Sequence, residues 1–318
     1  MTFFVSVRAV NRSYRFVPTK QVRESLDYAL KATAQKFEGR IALYEYQFLS
    51  NHYHLLGADL EGCLPDFMRE LNALFSRQLN SLRGIRGSNI EKDYNLVIVD
   101  MVTGERAFEH AVYILANAVR ANLVERTSQW LAPSSYALEY GEVVTAQQPK
   151  CGLWSDKVAH AERKASRRSK RARYVGKSKL PEVAQFKLVR PPIRPELSDA
   201  ELRAAIRAEV TKIENELIAQ RRRTGRRVMG WKRVVAMHYL DIPNEKEEYF
   251  GVRPTFSGDD EVARQKARAR RKRFLADYYA ARDRFFAGIR DVVFPFGTWL
   301  MKRIFKVNCA TCRPALAT

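Results

Sequence analysis

The sequence predicts an α+β protein: a split βαβ unit with an antiparallel sheet, followed by a basic, mainly helical C-terminal region. Two observations carry this reading. Apolar residues in the first 125 positions switch repeatedly between a period of two and a period of 3.6, and past Cys151 the composition turns basic, with two further stretches at helical spacing.

Phe3 to Val10 alternates as a strand, because a residue every second position faces the same side of a pleated chain. Thr19 to Phe37 places Val22, Leu26, Ala29, Leu30 and Thr33 on one helical face. Ile41 to Phe48 and His52 to Ala58 are strands joined by Leu49-Ser50-Asn51, a connection short enough to make them a central hairpin. Pro65 to Leu82 is a helix with proline in its first turn and Phe67, Leu71, Leu74, Phe75 and Leu79 along one side. Asn95 to Met101 is an apolar strand, and Glu105 to Val124 a helix. The order β-α-β-β-α-β-α gives a split βαβ sheet with its helices on one face.

The chain has 318 residues and is 46% hydrophobic, enough for two domains that each bury a core. No apolar run is long enough to cross a membrane, and Met1 to Arg8 lacks the pattern of a signal peptide, so a cytoplasmic location is expected. Cys63, Cys151, Cys309 and Cys312 are too few and scattered for a disulfide framework. Cys309 and Cys312 have zinc-ligand spacing without a second pair, so free thiols are expected.

Residues 1–150 carry 17 Lys+Arg against 16 Asp+Glu, whereas residues 151–318 carry 39 against 19. A near-neutral half joined to a strongly basic half points to a polyanionic partner held largely by the C-terminal part, and nucleic acid fits better than a membrane surface. Residues 157–179 are polar and basic, and Pro181, Pro191, Pro192 and Pro195 punctuate an extended connector. Leu197 to Arg223 reads as an amphipathic helix with a Ser198/Glu201 capping box. It ends in the basic cluster Arg221 to Arg227. Val262 to Ile289 is a second long helix, carrying Arg268, Arg270, Arg271, Lys272 and Arg273 and then Tyr278, Tyr279, Phe285 and Phe286. These basic clusters suit a DNA backbone. The aromatics suit either stacking on unpaired bases or, at spacings of three, four and seven, a packed stripe, the reading their spacing favours.

Two short motifs carry chemistry. In Asn51-His52-Tyr53-His54-Leu55-Leu56, His52 and His54 share one face of a strand and Tyr53 takes the other, so the two imidazoles can hold one divalent ion. In Tyr113-Ile114-Leu115-Ala116-Asn117-Ala118-Val119-Arg120-Ala121, Tyr113 and Asn117 lie one helical turn apart.

Together these motifs resemble those of the single-tyrosine HUH transposases, most closely the REP-associated tyrosine transposases. That family is marked by a strand with Asn-His-x-His before apolar residues and a helix with Tyr-Ile-x-x-Asn-Pro-Val-Arg-Ala. Pro65 to Arg69 with Leu74 to Arg77 resembles the intervening helix, and Ser134-Ser135-Tyr136 after Trp130 the element that often closes the domain. The chain departs from the pattern with Ala118 for the proline and Tyr53 for an aliphatic residue. The resemblance covers roughly residues 1–145 and implies a ferredoxin-like catalytic domain there; composition, prolines and helical spacing put a connector over 146–196 and a basic, mainly helical domain over 197–318.

It further implies a DNA strand transferase in which Tyr113 is the nucleophile and Mg²⁺ or Mn²⁺ is held by His52 and His54. Asn117 would be a third ligand or a phosphate-orienting amide. A 5′-phosphotyrosine intermediate would conserve bond energy without a nucleotide cofactor. Single-stranded or hairpin DNA is the implied partner, and family members commonly form homodimers. His110 has two readings, a proton partner for Tyr113 or a solvated helix residue, the second favoured. Arg8 and Arg120 contact either phosphate or surface carboxylates. Two other classes remain open: a domesticated, non-catalytic DNA-binding protein, and a relaxase or replication initiator of the same superfamily, disfavoured because a third motif histidine is absent.

Overall fold

The computed structural model describes residues 1–99, 104–150, 180–243, 255–258 and 260–310. The basic stretch 157–179, Met101, Cys151 and Cys312 lie outside these. Its first half runs β1 (Thr2–Arg8), α1 (Lys20–Lys36), β2 (Ile41–Phe48), β3 (His52–Asp59), α2 (Leu64–Arg83), β4 (Asn95–Val99) and α3 (Glu105–Arg120). Then come the hairpin β5 (Val143–Gln147) and β6 (Val183–Lys187), α4 (Asp199–Thr224), α5 (Trp231–Ala236), β7 (Phe256–Ser257), α6 (Glu261–Phe286), β8 (Val293–Phe294), α7 (Trp299–Phe305) and β9 (Asn308–Cys309). The class is α+β.

Local chemistry sets the element ends. The Thr19 hydroxyl accepts from the Val22 amide to start α1. The Asp59 carboxylate at the end of β3 accepts from the amides of Glu61, Cys63 and Leu64, so one side chain turns the chain from strand into α2. At the far end of α2, Gly84 sits at φ 65°, a left-handed cap that a Cβ would strain. The predicted Ser198/Glu201 capping box opens α4.

The main sheet has the order β2-β3-β1-β4-β7. The first four strands pair antiparallel and β7 adds parallel to β4, so the sheet is mixed where the sequence predicts a purely antiparallel one. Two residues make that strand, too short to carry a period. The β2–β3 hairpin forms with Phe48 opposite Tyr53 and Gln47 opposite His54, but it is not central: β2 is the sheet's edge. Residues 133–135 cover that edge through Phe48 N–H to Pro133 O and Ser135 N–H to Tyr46 O, 2.9 and 3.0 Å.

The helices occupy both faces, correcting the one-face expectation. Tyr53 meets Phe75 of α2 at 5.6 Å, and Phe67 of α2 meets Phe37 at the end of α1 at 5.5 Å. His54, on the opposite face, meets Tyr113 of α3. A strand buried on both sides loses polar-apolar alternation, and β3 is buried at every position after His52.

One hydrophobic core surrounds this sheet and takes in Ala184 and Phe186 of β6, Leu202, Ile206 and Val210 of α4, and Val234 of α5. Arg203 of α4 is fully buried and pairs with fully buried Glu45 of β2. Its Nε and Nη2 donate to the carbonyls of Leu138 and Ser135, while Glu45 accepts from the hydroxyls of Ser135 and Tyr140. A buried charge pair tolerates desolvation only when its other donors and acceptors are also satisfied, as they are here.

The rest of the chain is thinner. α6 is exposed over most of Glu261 to Ala280 and reaches a small second core of Ala281, Phe285, Val292, Phe294, Met301 and Val307. Tyr278 and Phe285 pack there as the stripe reading expects, whereas Tyr279 and Phe286 are exposed. Among the described residues no helix is long and apolar enough to cross a membrane.

Candidate nucleic-acid site

The site forms where α3 crosses the β3 face that bears the histidines. His52 and His54 have ring centroids 4.9 Å apart, and His54 and Tyr113 5.5 Å, edge to face. Phe4, on the neighbouring strand, stacks on His54 at 5.3 Å and on His110 at 4.5 Å and meets Tyr113 edge-on at 6.1 Å. The phenol and both imidazoles therefore share one patch. Tyr113 keeps 41% of its surface exposed, so a polymer can reach it from outside.

Both rings of the pair are neutral at physiological pH. Burial, seconded by Arg8, pushes His52 down to about 4. His54 is held well below its ordinary value by burial first, then by the positive potential of His52, His110 and Arg8. Asn51 fixes the His52 tautomer: its Oδ1 can only accept, so the contact at 2.7 Å requires a proton on Nδ1 and leaves the lone pair on Nε2. Asn51 Nδ2 in turn donates to the Arg12 carbonyl. His54 has no hydrogen-bond partner on either buried ring nitrogen. A neutral, buried imidazole with orphaned nitrogens suits a cation, as does a second ring oriented through its far nitrogen.

Asn117, one turn past Tyr113, is buried and its Nδ2 has no partner. Among the described residues no set of three or more His, Cys, Asp or Glu side chains is placed to hold one ion. Protein ligation beyond the imidazoles would therefore fall to an amide such as Asn117 or to water. The donor set fits a divalent cation in its chemistry.

His110 departs from the solvated reading the sequence favours. It is half-buried against Phe4, its Nε2 lies 3.1 Å from Ser257 Oγ on β7, and burial lowers it to about 4. Arg8 sits opposite His52 in the β1–β3 register and Arg120 is exposed two turns beyond Tyr113, the same side of α3. The remaining predicted contacts lie elsewhere: Arg268, Arg270, Arg271, Lys272 and Arg273 are exposed on α6, with Arg268 paired to Glu261 at 3.0 Å. Arg221 is not available to a DNA backbone, since it is buried and donates to the Val119 carbonyl and Asn122 Oδ1, closing the end of α3. Arg222 to Arg227 are exposed.

Sequence reasoning assigned no role to Asn51, Phe4 or Ser257. Asn51 adjoins His52, and Phe4 has the β1 parity of Arg8, so both could be found by asking what flanks the histidines. Ser257 could not, because nothing local signals which edge a two-residue strand joins.

No protein-family model and no curated protein matches the chain. Solved structures similar to it include the following two. A REP-associated tyrosine transposase bound to a REP hairpin shares 19% identity over 42% of this chain and 75% of its own, at a TM-score of 0.34. A protein described as a transposase from Deinococcus radiodurans shares 19% identity over 35% of this chain and 87% of its own, at 0.26. Similarity this distant leaves function to rest on the residues themselves.

Proposed function

We propose that this chain is a metal-dependent transposase of the HUH tyrosine class, with a ferredoxin-like catalytic unit, that cleaves and rejoins single-stranded DNA at hairpin-forming repeats. The observation that carries this reading is the convergence of Tyr113 on His54, 5.5 Å between rings, beside His52. His52, His54 and Asn117 are the residues that would hold Mg²⁺ or Mn²⁺, which when bound supplies Lewis-acid polarisation of a non-bridging phosphate oxygen.

The chain's own residues do the rest. Tyr113 Oη attacks phosphorus in line and gives its proton to solvent. The new bond is P–Oη; the bond to O3′ breaks, and O3′ leaves with the electron pair and takes a proton, giving a 5′-phosphotyrosine and a free 3′-hydroxyl. Attack by another 3′-hydroxyl reverses the step and joins new ends. Arg8 and Arg120 flank the site as phosphate donors, and the basic face of α6 adds nonspecific attraction.

The test is covalent. Wild-type protein incubated with single-stranded oligonucleotides and Mn²⁺ should yield a denaturation-resistant protein–DNA adduct. Tyr113→Phe should abolish it while leaving affinity within about twofold, since the lost hydroxyl bears on chemistry and not on charge. Absence of any wild-type adduct, with DNA affinity retained, would favour the domesticated DNA-binding protein instead.

A further inference from the structure

Beside the catalytic patch lies a basic feature that the reading above does not use. The loop after β1 passes Asn51: Ala9 N–H donates to Asn51 O, Phe16 N–H to Ser50 O, and the Arg12 carbonyl accepts from Asn51 Nδ2. Asn11 and Arg12 are both left-handed, at φ 54° and 55°, which turns the chain sharply away from the sheet. Beyond that turn Arg15 and Arg83, from α2, are both placed over the ring of Tyr239, 5.4 and 4.3 Å from its centroid.

Neither arginine has a carboxylate partner among the described residues. Arg83 donates to the Arg15 carbonyl and to Asn89 Oδ1, and Arg15 donates to Ser13 Oγ. Asp241, the acidic residue in the adjoining segment, spends its carboxylate on the His238 amide. Burial first, and then the like charge of Arg15, press Arg83 down to about 10. Two half-buried guanidiniums held close without an anion raise the free energy of the empty site, and a phosphate relieves it. Next to them is an open cleft of about 530 Å³ lined by Tyr14, Leu240, Asp241 and Ile242, tied to the same loop by Tyr14 N–H to Asp241 O. The Tyr14 ring beside a space of that size suits one stacked base with its sugar, and the Asp241 carboxylate, held by the His238 amide, lines the same cleft.

We infer that Arg15, Arg83 and Tyr239 with this cleft form a nucleotide subsite for single-stranded DNA, gripping one phosphate and one base of the strand that runs out from His52. This rests on the DNA-processing reading above. It places the continuation of the substrate strand over the β1–α1 loop, on the side of the site away from α3, and makes the loop carbonyl that holds Asn51 part of the strand's seat.

The experiment uses full-length protein and a fluorescein-labelled pool of random single-stranded 30-mers, with affinity read by anisotropy across a salt series. Arg15→Gln should lower the slope of log affinity against log salt by about 0.7, the value of one single-strand phosphate contact, and Arg15→Lys should restore it. Leu240→Asp, at an exposed position, puts a negative charge in the cleft and should weaken binding severalfold. Adduct formation at saturating DNA should persist in all three. Unchanged slopes in Arg15→Gln and unchanged affinity in Leu240→Asp, with wild type forming adducts, overturn the subsite and spare the catalytic reading. Altered slopes without any wild-type adduct sink the catalytic reading and leave the subsite standing.

Discussion

The three histidines of the site should make the fold acid-sensitive from about pH 7 downward, a window that begins well above the range of ordinary carboxylates. In the folded protein His52 and His110 stay neutral down to about 4, and burial holds His54 well below its ordinary value; unfolded, each has an ordinary value near 6.5. As pH falls below 6.5 the unfolded state takes up protons that the folded state refuses, so stability is full above about 7 and is lost towards 4. For one ring with values of 6.5 and 4, the linkage relation gives a loss of about 2 kcal/mol between pH 7.5 and 5. Because His52 and His110 both act on His54, their losses need not add, and a total of about 3–4 kcal/mol is expected from these two rings. Denaturant midpoints at pH 7.5 and 5.0 measure it. His110→Phe keeps the stack on Phe4 and should remove about 2 kcal/mol of the pH dependence while changing stability little at pH 7.5. A wild-type stability that is flat from 7.5 to 5 would mean these imidazoles are hydrated and protonatable, and the neutral-ligand account of His52 and His54 would fall with it.

Other perturbations separate holding the fold from doing the chemistry. Arg203→Met strands the Glu45 carboxylate in the core and should cost about 3–5 kcal/mol in denaturant unfolding, a loss that Arg203→Met/Glu45→Leu should largely recover. Asn51→Ala frees the His52 ring and should weaken Mn²⁺ affinity about 10–100-fold by isothermal titration, with little change in thermal midpoint in the absence of metal. Replacing Arg268, Arg270, Arg271, Lys272 and Arg273 by Gln should weaken DNA binding and flatten its salt dependence without touching adduct yield at saturating DNA; an unchanged slope would move the main binding surface off α6.

Much of the N-terminal half is legible in the sequence because its signals are local. The period-two placement of His52 and His54 needs only strand geometry to put both on one face. The apolar spacings of Phe67, Leu71, Leu74, Phe75 and Leu79 locate α2, and Ser198 with Glu201 marks the start of α4 to the residue. What was not legible involves partners distant in sequence. β2 lies at the edge because β1 pairs with β3 across 43 or more intervening residues, a choice no window of residues reveals. Arg221 looks like part of a basic cluster until the end of α3 is seen to need its donors. Tyr278 and Tyr279 are neighbours, yet only the first meets the small core.

The sequence by itself determined the α+β class, most element positions, the charge asymmetry and the residue types able to perform a phosphotyrosine step, since each depends on spacing along the chain or on counts. The tertiary structure decided that α3 covers the histidine face rather than the side with α1 and α2, that His110 is half-buried against Phe4, and that Arg15 and Arg83 share one ring. Those outcomes turn on which buried surfaces find each other, and burial is a property of the packed whole: the His110 imidazole, a solvated base on an open helix, becomes a neutral ring once Phe4 stacks on it.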